Sequence, residues 1–140
     1  MRALLGRTRR QIFRVVAAGA ASIPYIGLSK NSASAQAQNA KVVVLYKTPT
    51  DAAAFDKYYF DNHVGIAKKM PGLRKYEVSQ GVVGTPAGPS GIHLVAMLEF
   101  DDMAAVQRAF ASPEGKAAAD DLRNFASGGV DLLMFDTRDA

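Results

Sequence analysis

The chain has 140 residues, is 49% hydrophobic, contains no cysteine and carries a formal charge of +4. That length allows one domain with a tail, and the lack of cysteine excludes disulfides, thiol catalysis and cysteine-bound metal. The positive charge sits at the N-terminus: residues 1–37 hold Arg2, Arg7, Arg9, Arg10, Arg14 and Lys30 and no acid, and the remainder is −2, from eleven Lys or Arg against thirteen Asp or Glu, so no basic stripe is left for a nucleic-acid backbone.

The first segment has the order of an export signal. A basic region through Arg14 precedes an alanine-rich apolar stretch, Val15 to Leu28, interrupted by Gly19, Pro24 and Gly27. Small residues then offer cleavage at Ala33-Ser34-Ala35 or Ala35-Gln36-Ala37. Thr8-Arg9-Arg10-Gln11-Ile12-Phe13-Arg14 resembles the twin-arginine motif. Residues 1–37 are therefore expected to be a twin-arginine-type signal peptide and spacer. The mature protein is expected in the periplasm, with the twin-arginine export machinery as a transient partner. An ordinary secretory signal and a retained anchor helix are the alternatives, although the apolar run falls short of the about 20 apolar residues that span a bilayer.

After the spacer, Lys41 to Lys47 reads as a strand, β-branched and apolar on both alternating faces. Thr50 or Asp51 caps a helix in which Phe55, Tyr59, Ile66 and Met70 recur at helical spacing. Pro71-Gly72 ends it. Leu73 to Gln80 is a second strand, and Gly81 to Gly91, with four glycines and two prolines, is a loop. Ile92 to Phe100 is a third strand. Asp101 and Asp102 cap a helix through Phe110, and Ser112-Pro113 restarts it to about Phe125. Gly128-Gly129 turns the chain into a last strand, Val130 to Asp136.

The order β-α-β-β-α-β predicts an α+β, ferredoxin-like fold. Two helices cover one face of a four-stranded sheet, and the strands are too apolar for the other face to meet water. The economical solution is a homodimer through the sheet faces.

Several strings in this region resemble the EthD family in order and spacing. They are Val44-Leu45-Tyr46-Lys47, Phe55-Asp56-Lys57-Tyr58-Tyr59, His63-Val64-Gly65-Ile66-Ala67, Met70-Pro71-Gly72-Leu73-Arg74-Lys75-Tyr76 and Leu98-Glu99-Phe100-Asp101-Asp102. The resemblance covers 41–138. It implies a dimeric α+β barrel and a link to the degradation of organic compounds, and such proteins are often labelled reductases. Related barrels include lactone isomerases, polyketide cyclases and small monooxygenases. One departure is Val64-Gly65-Ile66, where many relatives have a proline and a leucine after the histidine; it predicts a looser helix there.

His63 is the leading candidate for chemistry. It follows Tyr59 by four residues and is expected on the margin of the apolar stripe. A neutral imidazole beside an apolar cleft can act as general base or acid near pH 7. Tyr59 or Tyr58 can orient it or donate to a substrate oxygen, and Tyr46, at the end of the first strand, can reach the same cleft. Phe55, Tyr58 and Tyr76 are expected to line the cleft as ligand-binding residues. The plain alternative is a boundary histidine satisfied by a backbone carbonyl or water.

His93 starts a strand and is expected at the surface. The two histidines and Glu99 match no compact metal-ligand spacing. Arg74 and Lys75 are expected on a solvated edge, one of them able to pair with a carboxylate ligand, and Asp120 and Asp121 in solvent. There is no dinucleotide-binding or phosphate-cradling glycine motif. The expected function is an acid/base enzyme, isomerase- or cyclase-like, acting on a small apolar organic molecule without a cofactor. A non-catalytic binding module stands as the alternative, and a haem- or flavin-assisted oxidoreductase stays open.

Overall fold

The computed structural model describes residues 39–140; the expected leader, 1–37, lies outside them. The elements are β1 (Asn39–Lys47), α1 (Ala52–Tyr58), a π-helical turn (Tyr59–His63), α2 (Val64–Ala67), β2 (Lys75–Val78), β3 (Gly84–Thr85), β4 (Gly88–Pro89), β5 (Ile92–Phe100), α3 (Met103–Ala111), α4 (Pro113–Asp121), a 3₁₀ turn (Leu122–Asn124) and β6 (Val130–Thr137). The sheet order is β2-β5-β1-β6, with every neighbouring pair antiparallel. This is the ferredoxin-like α+β arrangement. The 81–91 loop carries the small β3–β4 hairpin.

Local chemistry sets the helix starts. The Asp51 carboxylate accepts from the Ala54 N–H (2.9 Å), the Asp102 carboxylate from the Ala105 N–H (2.6 Å) and the Ser112 hydroxyl from the Gly115 N–H (3.0 Å). Each satisfies one amide that has no partner within its own helix. Of the two residues expected to cap α1 and the two expected to cap α3, Asp51 and Asp102 serve.

Alternation along the central strands builds the core. Ala40, Val42, Val44 and Tyr46 of β1 and Leu94, Ala96, Leu98 and Phe100 of β5 are buried on one face. The helices close that face through an aromatic cluster: Tyr46 lies 5.5 Å from Phe55, 5.4 Å from Tyr59 and 5.7 Å from Phe125 between ring centroids. The opposite face carries Val43, Leu45 and Val95, all half-buried, and the exposed Met97, Leu133 and Phe135. Among the described residues nothing covers it as the helices cover the first face. A Lys41–Glu99 ion pair (2.8 Å) crosses it.

Two details depart from the sequence expectation. β2 is shorter than Leu73 to Gln80: regular pairing spans Lys75–Val78, and the flanking Arg74 and Ser79 each keep a single backbone bond to β5, donating to the Glu99 and Val95 carbonyls (both 2.8 Å). In the first helix Ala67, not Ile66, is fully buried, and His63 lies on the buried face rather than on its margin. In a regular helix each four-residue step overshoots a full turn by about 40°, so Phe55, Tyr59, His63 and Ala67 would wind off one face. The Val64 N–H instead bonds the Tyr59 carbonyl, a turn wider by one residue, and the overshoot is absorbed.

Close packing makes two glycines indispensable. A Cβ on Gly115 would stand 2.1 Å from the Ala109 carbonyl oxygen, and one on Gly128 would stand 2.3 Å from that of Thr48. Gly115→Ala and Gly128→Ala are each expected to cost roughly 1–3 kcal/mol, the range of overpacking. Gly65→Ala, in α2 with nothing within 4 Å, is expected to be neutral or to stabilise by up to about 1 kcal/mol. Urea midpoints at constant slope measure all three.

Candidate functional site

A cavity of about 260 Å³ lies between the helix-covered face of the sheet and the helices. Its walls are apolar, with Val44, Leu98, Ala118 and Leu122 among them, and Leu132 and Met134 of β6 also line it. Three polar side chains line it: Tyr46, His63 and Tyr76. Apolar walls with a few convergent polar groups are the usual make-up of a small-molecule site.

His63 is buried, 4% exposed. Its Nδ1 is 2.9 Å from Asp121 Oδ2 and its Nε2 is 3.3 Å from the Tyr46 hydroxyl. A carboxylate only accepts, so Nδ1 carries the proton and donates to Asp121, and Nε2 presents its lone pair. Tyr46 donates to that lone pair at a distance long for such a bond, so a substrate can displace it. Asp121 is itself held: the Tyr58 hydroxyl (2.7 Å) and the Asn124 amide (2.9 Å) both donate to Oδ1. Behind this chain the Tyr59 and Tyr76 hydroxyls share a 2.7 Å hydrogen bond.

The electrostatics match this geometry. Burial pushes the His63 value below its ordinary 6.5, against the opposing pull of Asp121. The ring is therefore neutral at pH 7 and available as a base. For Asp121, burial acts upward, but donation from Asn124, His63 and Tyr58 outweighs it and holds the carboxyl below its ordinary value. Burial raises the Tyr46 and Tyr59 phenols well above the ordinary range, and Tyr76 moves in the same direction. These tyrosines remain protonated donors.

The structure thus brings His63, Tyr46 and Tyr76 to one cavity. Tyr59 stands behind, bonded to Tyr76. Phe55 and Tyr58 do not line the cavity: Phe55 is in the aromatic core, and Tyr58 holds Asp121 from the other side. Asp121 corrects the sequence expectation. It is 7% exposed, not in solvent, because the buried face of α4 runs Gly115, Ala118, Asp121. Two small residues followed by an acid at three-residue spacing was the available signal, and Asp120 beside it obscured the choice. Asp120 is exposed and pairs with Arg123.

Arg74 pairs with Asp101, and Lys75 with Glu77 (2.9 Å), all at the surface. His93 is not simply at the surface: it lines a larger cleft of about 570 Å³ that shares no lining residue with the cavity of His63. No group of three or more potential metal-ligating side chains occurs among the described residues.

Comparison with known proteins places the chain. The EthD domain family model matches residues 47–129. An uncharacterised 11.0 kDa protein of the thcB–thcC intergenic region of Rhodococcus erythropolis is 38% identical over 96 residues, which is 69% of this chain and 92% of that protein. The crystal structure of an EthD family protein from Bacillus halodurans is similar with a TM-score of 0.66 and 35% identity, over 71% of this chain and 99% of that one. SnoaB of Streptomyces nogalater, described as a cofactor-independent oxygenase, shares the fold at 19% identity and a TM-score of 0.54, over 74% and 97% of the two chains. A Thermobifida fusca protein described as dimeric and ferredoxin-like shares it at 11% identity and a TM-score of 0.56, over 73% and 93%.

His63 is expected to titrate below 6.5 by NMR, and lower still in Asp121→Asn, which removes the carboxylate that favours the imidazolium. The sign for stability follows from linkage. The folded state binds this proton less tightly than the unfolded state, so the contribution is complete above pH 6.5 and lost as the pH falls through the interval below it. The contribution of Asp121, whose value is also lowered, is lost only at more acid pH, below its ordinary 3.8. Unfolding midpoints across these two windows, in the native chain and in His63→Gln, separate the contributions.

Proposed function

The chain belongs to the EthD domain family, and from that footing we propose that it is an enzyme that moves a proton on a small, largely apolar organic compound held in the His63 cavity. One observation carries the reading: a neutral imidazole in an apolar cavity, its Nδ1–H fixed on Asp121 and its Nε2 lone pair facing a phenol donor. Nε2 takes a proton from an activated carbon or hydroxyl of the substrate. Asp121 stabilises the imidazolium that forms, and the Tyr46 or Tyr76 hydroxyl donates to the oxygen on which negative charge collects. Return of the proton at a second atom completes an isomerisation or a cyclisation. The apolar walls, with no lysine, arginine or carboxylate among the lining residues, favour enolisable ketones and lactones over charged substrates.

Deuterium exchange into a small cyclic ketone in D₂O tests the proton transfer without knowledge of the natural substrate. The native chain is expected to accelerate loss of the α-proton signals. His63→Ala is expected to lose about 10²–10⁴-fold in that rate, the span of one acid–base group, while still binding the ketone. Equal rates in the native and His63→Ala proteins, with ketone bound in both, would leave the binding-module reading.

We also propose that the protein is a homodimer joined through the open sheet face. Val43, Leu45, Val95, Met97, Leu133 and Phe135 make that face apolar, and burial of such surface stabilises by roughly 25 cal/mol per Å². Sedimentation is expected to give twice the chain mass, and Met97→Lys, exposed in one copy, is expected to shift the population to monomer. A native protein that sediments as a monomer at micromolar concentration would overturn the proposal.

A further inference from the structure

The ladder between β1 and β5 has one irregularity. Tyr46 pairs with Leu94 and Lys47 pairs with Ile92, so His93 is an extra residue in a bulge. A bulge re-aims the side chain it carries. Strict alternation would put His93 on the open face with Val95 and Met97. Instead its ring stands edge-on to Phe55 of α1, at 4.9 Å between centroids, and its Nε2 is 2.7 Å from Asp56 Oδ1. The second histidine of the chain thus also has an aspartate partner on a cavity wall, in the cleft of about 570 Å³.

The cleft has a definite chemical character. Asp56 is the only acidic side chain among its lining residues, which include no lysine or arginine, so the cleft offers an anion no permanent positive charge. The carboxylate accepts from Nε2–H, so in the neutral ring Nδ1 is an acceptor, and no hydrogen bond reaches Nδ1 from the described residues. The Ser79 hydroxyl accepts from the Val95 N–H (3.0 Å) and retains its own proton to donate. Thr48 and Ser90 spend theirs on the Gly91 and Val83 carbonyls. Flanking these groups are two large apolar side chains in solvent, Phe60 at 53% and Val82 at 94% exposed.

From this geometry we infer that the His93 cleft is a second small-molecule site, separate from the His63 cavity, that takes neutral phenols. The phenol hydroxyl donates to His93 Nδ1 and accepts from Ser79, and the ring lies against Phe60 and Val82. A carboxylate in place of the hydroxyl is repelled by Asp56 and brings no donor for Nδ1. A ring without a hydroxyl leaves Nδ1 and Ser79 unpaired.

Titration of isotope-labelled full-length protein with phenol, followed by NMR at the Gln80 and Val82 resonances, tests the site. Phenol is expected to shift these signals together with the His93 ring, and toluene and benzoate to bind at least about tenfold more weakly, the loss of one hydrogen bond to a paired polar group. His93→Phe keeps an aromatic ring on Phe55, and Phe60→Ala alters an exposed position. Each is expected to weaken phenol binding about tenfold, while unchanged His63 resonances report an intact fold. Because Phe60→Ala removes an exposed side chain, it keeps the test available should His93→Phe fail to fold. Phenol that leaves Gln80 and Val82 unmoved, benzoate that binds as well as phenol, or Phe60→Ala that binds phenol like the native chain overturns the assignment. None of these readouts depends on whether His63 catalyses a reaction.

Discussion

The hydrogen bond between His63 and Asp121 joins the two helical halves of the molecule, and the site is organised around it. His63 comes from the π turn after α1 and Asp121 from the last residue of α4, 58 positions apart in the chain. Both groups are buried, so neither can exchange its partner for water without cost. The carboxylate decides which imidazole nitrogen holds the proton, and hence that the other faces the cavity as a base. Tyr58 and Asn124 donate to the other oxygen of the carboxylate, and no buried side-chain polar atom among the described residues lacks a partner.

Two irregularities of the backbone aim the two histidines. The π turn brings His63 onto the buried face in line with Phe55 and Tyr59. The β-bulge turns His93 from the open face of the sheet to the helix side. A regular helix and a regular strand would have placed both rings elsewhere. Each irregularity departs from the regular hydrogen-bond pattern, and each lies where a side chain meets a cavity. Around them the frame is orthodox: helix caps, alternating strands and a core that includes the aromatic cluster of Tyr46, Phe55, Tyr59 and Phe125.

Much of the fold was readable in advance because its causes are local. β-branched alternation marked β1 and β5, the aspartates and Ser112 marked the helix starts, and Pro71-Gly72 and Gly128-Gly129 marked turns. The order of those elements leaves few ways to build one sheet. The family resemblance and the residue pattern pointed to the same arrangement. The ends of β2 were misjudged because ladder pairing, not composition, sets where a strand stops. His63, Tyr46 and Tyr76 were named from position and type, and they meet at one cavity.

What composition and periodicity determined by themselves was the set of elements, the two faces of the sheet and a histidine on the first helix near an apolar stripe. Only the tertiary structure decided that Asp121 and not Asp120 is the partner of that histidine, that Tyr58 supports the carboxylate instead of lining the cavity, and that His93 turns toward Asp56. The reason is physical. Periodicity encodes which face of an element is buried, a property of neighbours in sequence. A hydrogen bond between groups 58 residues apart depends on the depth and rotation at which two helices meet the sheet, and those are set by packing of the whole core, down to the absence of a Cβ at Gly115.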